Sequence, residues 1–531
     1  MDSDTALRRA GDAQRLASDP AVSAFVGASA GSGKTKLLTD RLLRLMLAGN
    51  PPGRILCLTF TRAAAAEMAL RLQRSLGKWV VMEEEELDDA LAGLGFVADA
   101  ALRAQARKLF AEVLDLPGGM RISTIHAFCQ SVLRRFPLEA SLSPHFELAA
   151  EEDRALALQA AQQLILAQET GPVRAAVERL APLIGTLDRL RGLIDALAAK
   201  RVKLPPAFAE AFRRAAGAPD RPPDRARVSD EARLRAALSV LAEQGSAKFV
   251  ERAAAMLGWL DLPGEMRRER FPQWCGAFLD GRGQPRAPGG LVNPGLARQV
   301  PAVLEALCAE QAHVLRILEE EAAGRVAAAS SDLHTFAALV LAAYDEAKGR
   351  AAWLDYADLI HHTNRLLVDP GAAWVLYKLD GGLDHLLLDE AQDTAPEQWA
   401  IAEALTAEFF AGQGAREVKR TVFAVGDPKQ SIYSFQGADP AGFDRWRDNL
   451  RARVAAAGET WREPALDVSF RSTAPVLALV DAVFAAPPAS AGVVPAARTL
   501  RHDPVRAGQA GAVELWPLAP ASDPPDPMPW T

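Results

Sequence analysis

Cysteine is scarce in this chain. Its four cysteines, Cys57, Cys129, Cys275 and Cys308, stand far apart with no Cys-x-x-Cys pair. That spacing excludes a disulfide framework, argues against zinc or iron–sulfur ligation, and points to a reducing compartment, the cytoplasm. Long apolar runs are missing too. None approaches the ~20 residues needed to span a bilayer, so no membrane role is expected. The segment Met1–Asp12 is polar and has no apolar signal core, which reads against secretion. Positive charge is not in excess: 60 Lys and Arg face 67 Asp and Glu, for a net charge of −7. Any binding of nucleic acid must then come from local basic faces, not from the field of the whole protein.

What remains is a globular composition, 49% hydrophobic and 24% charged over 531 residues, long enough for roughly two to four domains. The first strong signal is at residues 27–35, Gly-Ala-Ser-Ala-Gly-Ser-Gly-Lys-Thr, directly after the apolar run Ala21–Val26. A strand here feeds a glycine-rich loop. Gly31 and Gly33 let the backbone turn so that N–H groups from Ala28, Ser29, Ala30, Ser32 and Lys36 point at phosphate oxygens. Lys34 supplies a point charge for the β- and γ-phosphates, and Thr35 a hydroxyl for Mg²⁺. The helical run Lys36–Leu47 adds its N-terminus to the anion site. The strict pattern opens on Gly where Ala28 stands; a small residue still fits.

Four apolar strand-like runs carry polar motifs at their C-terminal ends: Ala21–Val26, Ile55–Phe60, His385–Leu388 and Thr421–Val425, with Ile122–Ile125 as a fifth. Helical patterns such as Ala63–Leu76 and Gln398–Phe410 lie between them, so an α/β fold with a parallel sheet covered on both faces is expected. Ligands bind such sheets at the carboxyl ends of the strands. From about Phe146 to Lys348 the chain turns helical, as at Asp153–Gln168 and Val303–Arg325. Within it, Arg201–Val228 reads as a loop, and Arg267, Arg268, Arg270, Phe271, Trp274 and Phe278 form a basic–aromatic cluster. The cluster could meet duplex DNA, but a helical core with a solvated Arg face is the better reading. Glu83–Glu86 reads as a solvated helix face. Past Ala485 the chain is rich in Ala and Pro, with Val513–Trp516 as its one strand candidate.

Two further motifs carry chemistry. Asp389 and Glu390 follow Leu386-Leu387-Leu388. From a strand end a carboxylate reaches the cation held by Thr35, and Glu390 can orient or deprotonate the attacking water. An acidic pair in that place can be an ordinary turn; behind a matching phosphate loop it reads as catalytic. Residues 425–439 form the third motif. Gln430 there can sense a γ-phosphate, and Tyr433 and Phe435 can stack on bases or pack into a core.

At this point the chain resembles the superfamily 1A DNA helicases of the UvrD/Rep type, and more narrowly the AddA subunits of AddAB helicase–nucleases. Gln14 matches the adenine-reading glutamine. Thr59 and Thr61, in Leu58–Met68, and Thr124 and His126, in Ile122–Cys129, match motifs that touch single-stranded DNA, as does Phe435. Asp355–Ile360 matches the return from the inserted domain. In Val468–Thr473, Phe470 stands where an aromatic stacks on adenine and Arg471 resembles an arginine finger. The pair Phe435-Gln436 has the AddA- and RecB-like flavour. The resemblance implies a RecA-like motor domain 1A over residues 1–145 and 349–462, a helical 1B insertion over 146–348, and the start of domain 2A over 463–531. It implies ATP and Mg²⁺ as cofactors, 3′–5′ translocation on single-stranded DNA in double-strand-break repair, and an AddB-type partner.

The resemblance also exposes an absence. Nothing after Thr473 matches the family's later motor motifs or its nuclease domain, so the chain reads as the N-terminal portion of a longer protein. Three other readings stand beside the helicase. A nucleotide kinase would not need Asp389-Glu390 followed by Gly-Asp-Pro-Lys-Gln. A stand-alone UvrD-like motor fits Phe435-Gln436 and the long insertion less well. A half-motor that binds ATP and DNA without useful turnover would follow if Arg471 sits on an incomplete domain.

Overall fold

The computed structural model describes all residues except 1–2, 169–170, 201–207, 381, 411–418, 432–438, 492, 494–499 and 519–531. They divide into two units, one of residues 1–148 and 354–531, the other of residues 149–353.

The first unit is built on strands β1 (Ser23–Ala28), β2 (Ile55–Thr59), β3 (Arg121–Thr124), β4 (His385–Leu388), β5 (Thr421–Gly426), β6 (Trp461–Arg462) and β7 (Ala465–Leu466). They form one sheet in the order β3-β2-β4-β5-β1-β6, with β7 also on β1. The pairs are parallel. Alternate side chains enter two cores. Leu386 and Leu388 join Leu56, Leu58 and Trp399 on one face, while Leu387 joins Cys57, Phe423 and Val425 on the other. A sheet buried on both faces needs apolar residues at every position, which is why these strands read as continuous runs. The covering helices include α1 (Ser3–Ala17), α2 (Lys34–Leu47), α3 (Arg62–Val81) and α4 (Ile125–Arg135).

One expectation about local structure fails and another holds. Val513–Trp516 is exposed and forms no strand among the described residues. Instead Asp503–Arg506 pairs in parallel with Val468–Thr473. The run Glu84–Gly93 is a helix whose Leu87 and Leu91 are buried and whose Asp88 meets Arg103, so its acidic side is a solvated face.

A polar cluster lies under the N-terminal ends of the strands. Arg41 is fully buried; it donates to the Val22 carbonyl at 2.7 Å and to Thr421 Oγ1 at 2.9 Å. His385 Nδ1 lies 2.8 Å from the same hydroxyl. Burial first, then the Arg41 charge, push His385 down to about 3. A histidine held neutral in the fold takes up a proton in the unfolded chain below its ordinary value of about 6.5, so stability is complete above that pH and falls as pH drops. The expected loss is about 2 kcal/mol by pH 5. Urea melts of the wild type and His385→Gln between pH 7 and 5 check it. The variant should show the shallower slope; equal slopes would remove His385 as the cause.

The second unit is helical. Its spine is α5 (Pro301–Ala351), 51 residues long. By length and composition this helix could cross a membrane, which a search for uninterrupted apolar runs misses because charged residues punctuate it. Here it serves two cores. Val303, Leu307, Val314 and Ile317 pack with Leu238, Trp274 and Phe278; Phe336, Val340 and Tyr344 pack with Leu158, Ile165 and Ile194. Phe271, Trp274 and Phe278 are core residues, Arg267 pairs with Glu231, Arg268 pairs with Asp224, and Arg270 is exposed, so the basic–aromatic cluster is a helical core with an arginine-bearing outer side. Buried Glu310 accepts from Ser229 N–H and Oγ, both at 2.7 Å, and from Trp274 Nε1 at 3.0 Å. The expected loop at 201–228 contains a helix, Phe208–Ala215, where Phe208 stacks on His334. The chain returns to the first unit as α6 (Tyr356–Val368), opened by the Asp355/Asp358 capping box, and goes on to α7 (Pro396–Thr406) and α8 (Pro440–Ala456).

Candidate active site

The C-terminal ends of β1 to β5 share one edge of the sheet, and the predicted residues gather there. After β1 the loop turns through Gly31 at φ 74° and Gly33 at φ 89°, and Gly33 caps α2, whose first residues are Lys34 and Thr35. Both glycines also stand where a Cβ would collide. On Gly31 it would lie 2.7 Å from the Cβ of Arg471, and on Gly33 2.8 Å from Gln14 Nε2. Phe470 donates its backbone N–H to the Gly31 carbonyl at 2.9 Å. Residues 14, 31–35 and 470–471 thus form one wall. Gln14 is buried, donates to the Ser32 carbonyl at 3.3 Å and accepts from Lys36 Nζ at 3.4 Å. A cleft of about 180 Å³ opens between Gln14, Ser32 and Val468. Ala28 and Ser29 are buried at the loop's entrance, and Ala30 is exposed at its crest.

Lys34 Nζ donates to Glu390 Oε2 at 3.0 Å, joining residues 356 positions apart. Glu390 sits at φ 50°, a left-handed conformation that costs a non-glycine residue energy and that clusters at functional sites. Asp389, at the end of β4, is partly exposed yet strongly desolvated. Burial first, then Glu390, push its carboxyl up to about 7. A carboxylate in that condition gains from any cation that arrives. Thr35 stands one residue past Lys34 on α2. Gln430 has its amide on Asp427 Oδ2 at 2.6 Å, and Lys429 Nζ takes the other oxygen at 2.8 Å.

A second cleft, of about 260 Å³, is lined by Thr59, Arg62, Thr124, His126, Tyr356 and Asp389, among others. Thr59 Oγ1 donates to the Thr61 carbonyl at 2.9 Å; Thr61 caps α3 and Thr124 caps α4. His126 meets Tyr356 edge-on at 5.2 Å, and burial followed by the Arg62 charge lowers its pKa. Tyr356 is half exposed and packs edge-on against a predicted residue; it lies in the run Asp355–Ile360, but only the fold brings it to the cleft. Phe435 and Tyr433 lie outside the described residues.

The UvrD/REP helicase N-terminal domain matches residues 11–451. The chain belongs to this family. Among its relatives, the AddA component of the ATP-dependent helicase/nuclease of Pelotomaculum thermopropionicum is 27% identical over 87% of this chain and 37% of that protein. The protein of the same name from Desulforudis audaxviator is 28% identical over 87% of this chain and 38% of its own length. A third, from Lactobacillus acidophilus, is 35% identical over 25% of this chain and 9% of its own length. The chain spans less than two fifths of the length of the first two relatives.

Proposed function

We propose that this chain is the ATP-binding motor portion of an AddA-type DNA helicase, moving on single-stranded DNA in double-strand-break repair, in the cytoplasm and with an AddB-type partner. The carrying observation is the Lys34–Glu390 contact at 3.0 Å, between a phosphate-type loop and an acidic strand end. In this reading residues 1–145 and 349–462 are the first RecA-like motor domain, 146–348 the 1B insertion, and 463–531 the opening of domain 2A. The direction assigned in this reading is 3′–5′, as the resemblance implies.

The chemistry follows from the groups around the loop. Backbone N–H groups of residues 28–36 and Lys34 would hold the phosphates, with adenine between Gln14 and Phe470. The residues fit a divalent cation: the Thr35 hydroxyl and the desolvated Asp389 carboxylate would hold Mg²⁺, which neutralises phosphate charge when bound. Lys34 then exchanges its Glu390 partner for phosphate, leaving Glu390 free to take a proton from the attacking water. Gln430 and Arg471 are assigned to the γ-phosphate side, Arg471 as the finger beside Gly31.

DNA binding is assigned to Thr59, Thr61, Thr124, His126 and Phe435, with Tyr356 added. These are small polar and ring groups that hold phosphates and stack on bases without reading sequence. The test is oligo(dT) binding across a salt series. Affinity should fall with a log–log slope near −0.7 per phosphate neutralised, and His126→Ala with Tyr356→Ala should weaken it about tenfold or more. Tighter binding to blunt duplex with a flat salt response would overturn the reading.

A further inference from the structure

Gln392 lies three residues past Asp389 and is almost fully buried, at 1% exposure. Every hydrogen-bonding group of its side chain is used. Nε2 donates to Glu390 Oε2 at 2.8 Å and to Asp393 Oδ2 at 3.0 Å. Oε1 accepts the backbone N–H of Asp427 at 2.8 Å. The amide can face only this way. Reversed, it would set its oxygen against two carboxylates and its NH₂ against an N–H. Its main chain is tied to the same segment four residues on, since Ser431 Oγ donates to the Gln392 carbonyl at 3.4 Å. The strand side is shaped to receive it. A Cβ on Gly426 would lie 2.6 Å from Gln392 Oε1 and 2.8 Å from the Phe443 ring. One buried amide therefore spans from the end of β5, where Asp427 also holds Gln430, to the carboxylate of Glu390.

We propose that Gln392 is a positioning residue that sets the Glu390 carboxylate from the end of β5. It touches neither phosphate nor DNA in the assignment above, on which this proposal rests. The physical case is one of replacement. Lys34 and Gln392 both donate to Glu390 Oε2. When phosphate draws Lys34 away, the Gln392 amide is the donor that keeps Glu390 in place on its left-handed backbone. A displacement of that carboxylate by about 1 Å is enough to cost about a hundredfold in rate. The amide is also the one side chain of this size that serves both ends. A carboxylate would keep the acceptor for Asp427 but put like charge against Glu390 and Asp393. An apolar residue would strand the Asp427 N–H.

The experiment compares wild type, Gln392→Ala, Gln392→Glu and Glu390→Gln in the chain 1–531. It measures affinity for a fluorescent ATP analogue with Mg²⁺, single-turnover ATP hydrolysis with enzyme in excess, and melting temperature. Single turnover is chosen because it reads slow hydrolysis. Both Gln392 variants should hydrolyse ATP about tenfold or more slowly while binding the analogue within about threefold of wild type. The melting temperatures establish that each rate is read on folded protein. Wild-type hydrolysis by Gln392→Glu, or losses of rate and affinity in step with each other, would overturn the positioning role. If instead Glu390→Gln hydrolyses ATP like the wild type, the assignment of Glu390 falls, and the two failures are told apart.

Discussion

Lys34→Ala should weaken binding of Mg·ATP by about ten- to a hundredfold, the range of one to two charge-assisted hydrogen bonds to phosphate. The same change should barely alter the stability of the protein without nucleotide. The pair it breaks there, Lys34–Glu390 at 3.0 Å, leaves the Glu390 side chain 34% exposed. Ion pairs with that much access to water contribute little, about 0–1 kcal/mol. The contrast between a large loss of affinity and a small change in melting temperature separates a phosphate ligand from a structural lysine. Titration with a fluorescent ATP analogue reads the first and thermal melting the second. Unchanged affinity would end the phosphate-loop assignment.

Glu390→Gln should act in the opposite way. The amide is the same size, tolerates the same left-handed backbone, and releases Lys34 from its ion pair. Nucleotide affinity should hold or rise slightly, while hydrolysis falls by about 10²–10⁴, the usual contribution of a general base. Single-turnover hydrolysis at saturating enzyme makes the measurement independent of how fast the wild type cycles. Collapse of affinity with hydrolysis intact per bound nucleotide would show that Glu390 binds and does not catalyse.

Much of this arrangement is written in local sequence. The strands at His385–Leu388 and Thr421–Gly426 are legible because a doubly covered sheet demands unbroken apolar runs, and each motif follows its strand directly. The loop at 27–35 is legible because its glycines, lysine and threonine act through spacing alone. What escapes notice is whatever depends on a fold partner. Trp461–Arg462 and Ala465–Leu466 are two residues each, too short for any periodicity, and become strands only because β1 offers a free edge. Phe208–Ala215 sits in a Pro-, Arg- and Ala-rich stretch and is helical where Phe208 finds His334. Tyr356 lies inside a quoted motif and Gln392 two residues past another, yet their roles need a neighbour some 230 and 35 positions away, His126 and Asp427. No pattern within one segment carries that information.

The spine helix of the second unit has a consequence for how that unit comes apart. Its 51 residues, about 75 Å of helix, thread one core at Val303–Ile317 and another at Phe336–Tyr344. Between them, from Glu319 to Asp332, Ala327 is the one buried apolar side chain. Gly324 and the Ala-Ala-Ala-Ser-Ser run at 327–331 add little apolar packing, and the stretch is tied to its neighbours through the Arg225–Glu321 and Arg179–Asp332 ion pairs. A helix is cooperative along its own hydrogen bonds, but the two apolar cores share no buried residue. The two cores are therefore expected to behave as separate foldons strung on one rod. Native-state hydrogen exchange should then show two protected groups of amides that open independently, with faster exchange in the waist between them; a single opening shared by both cores would show them to be one unit.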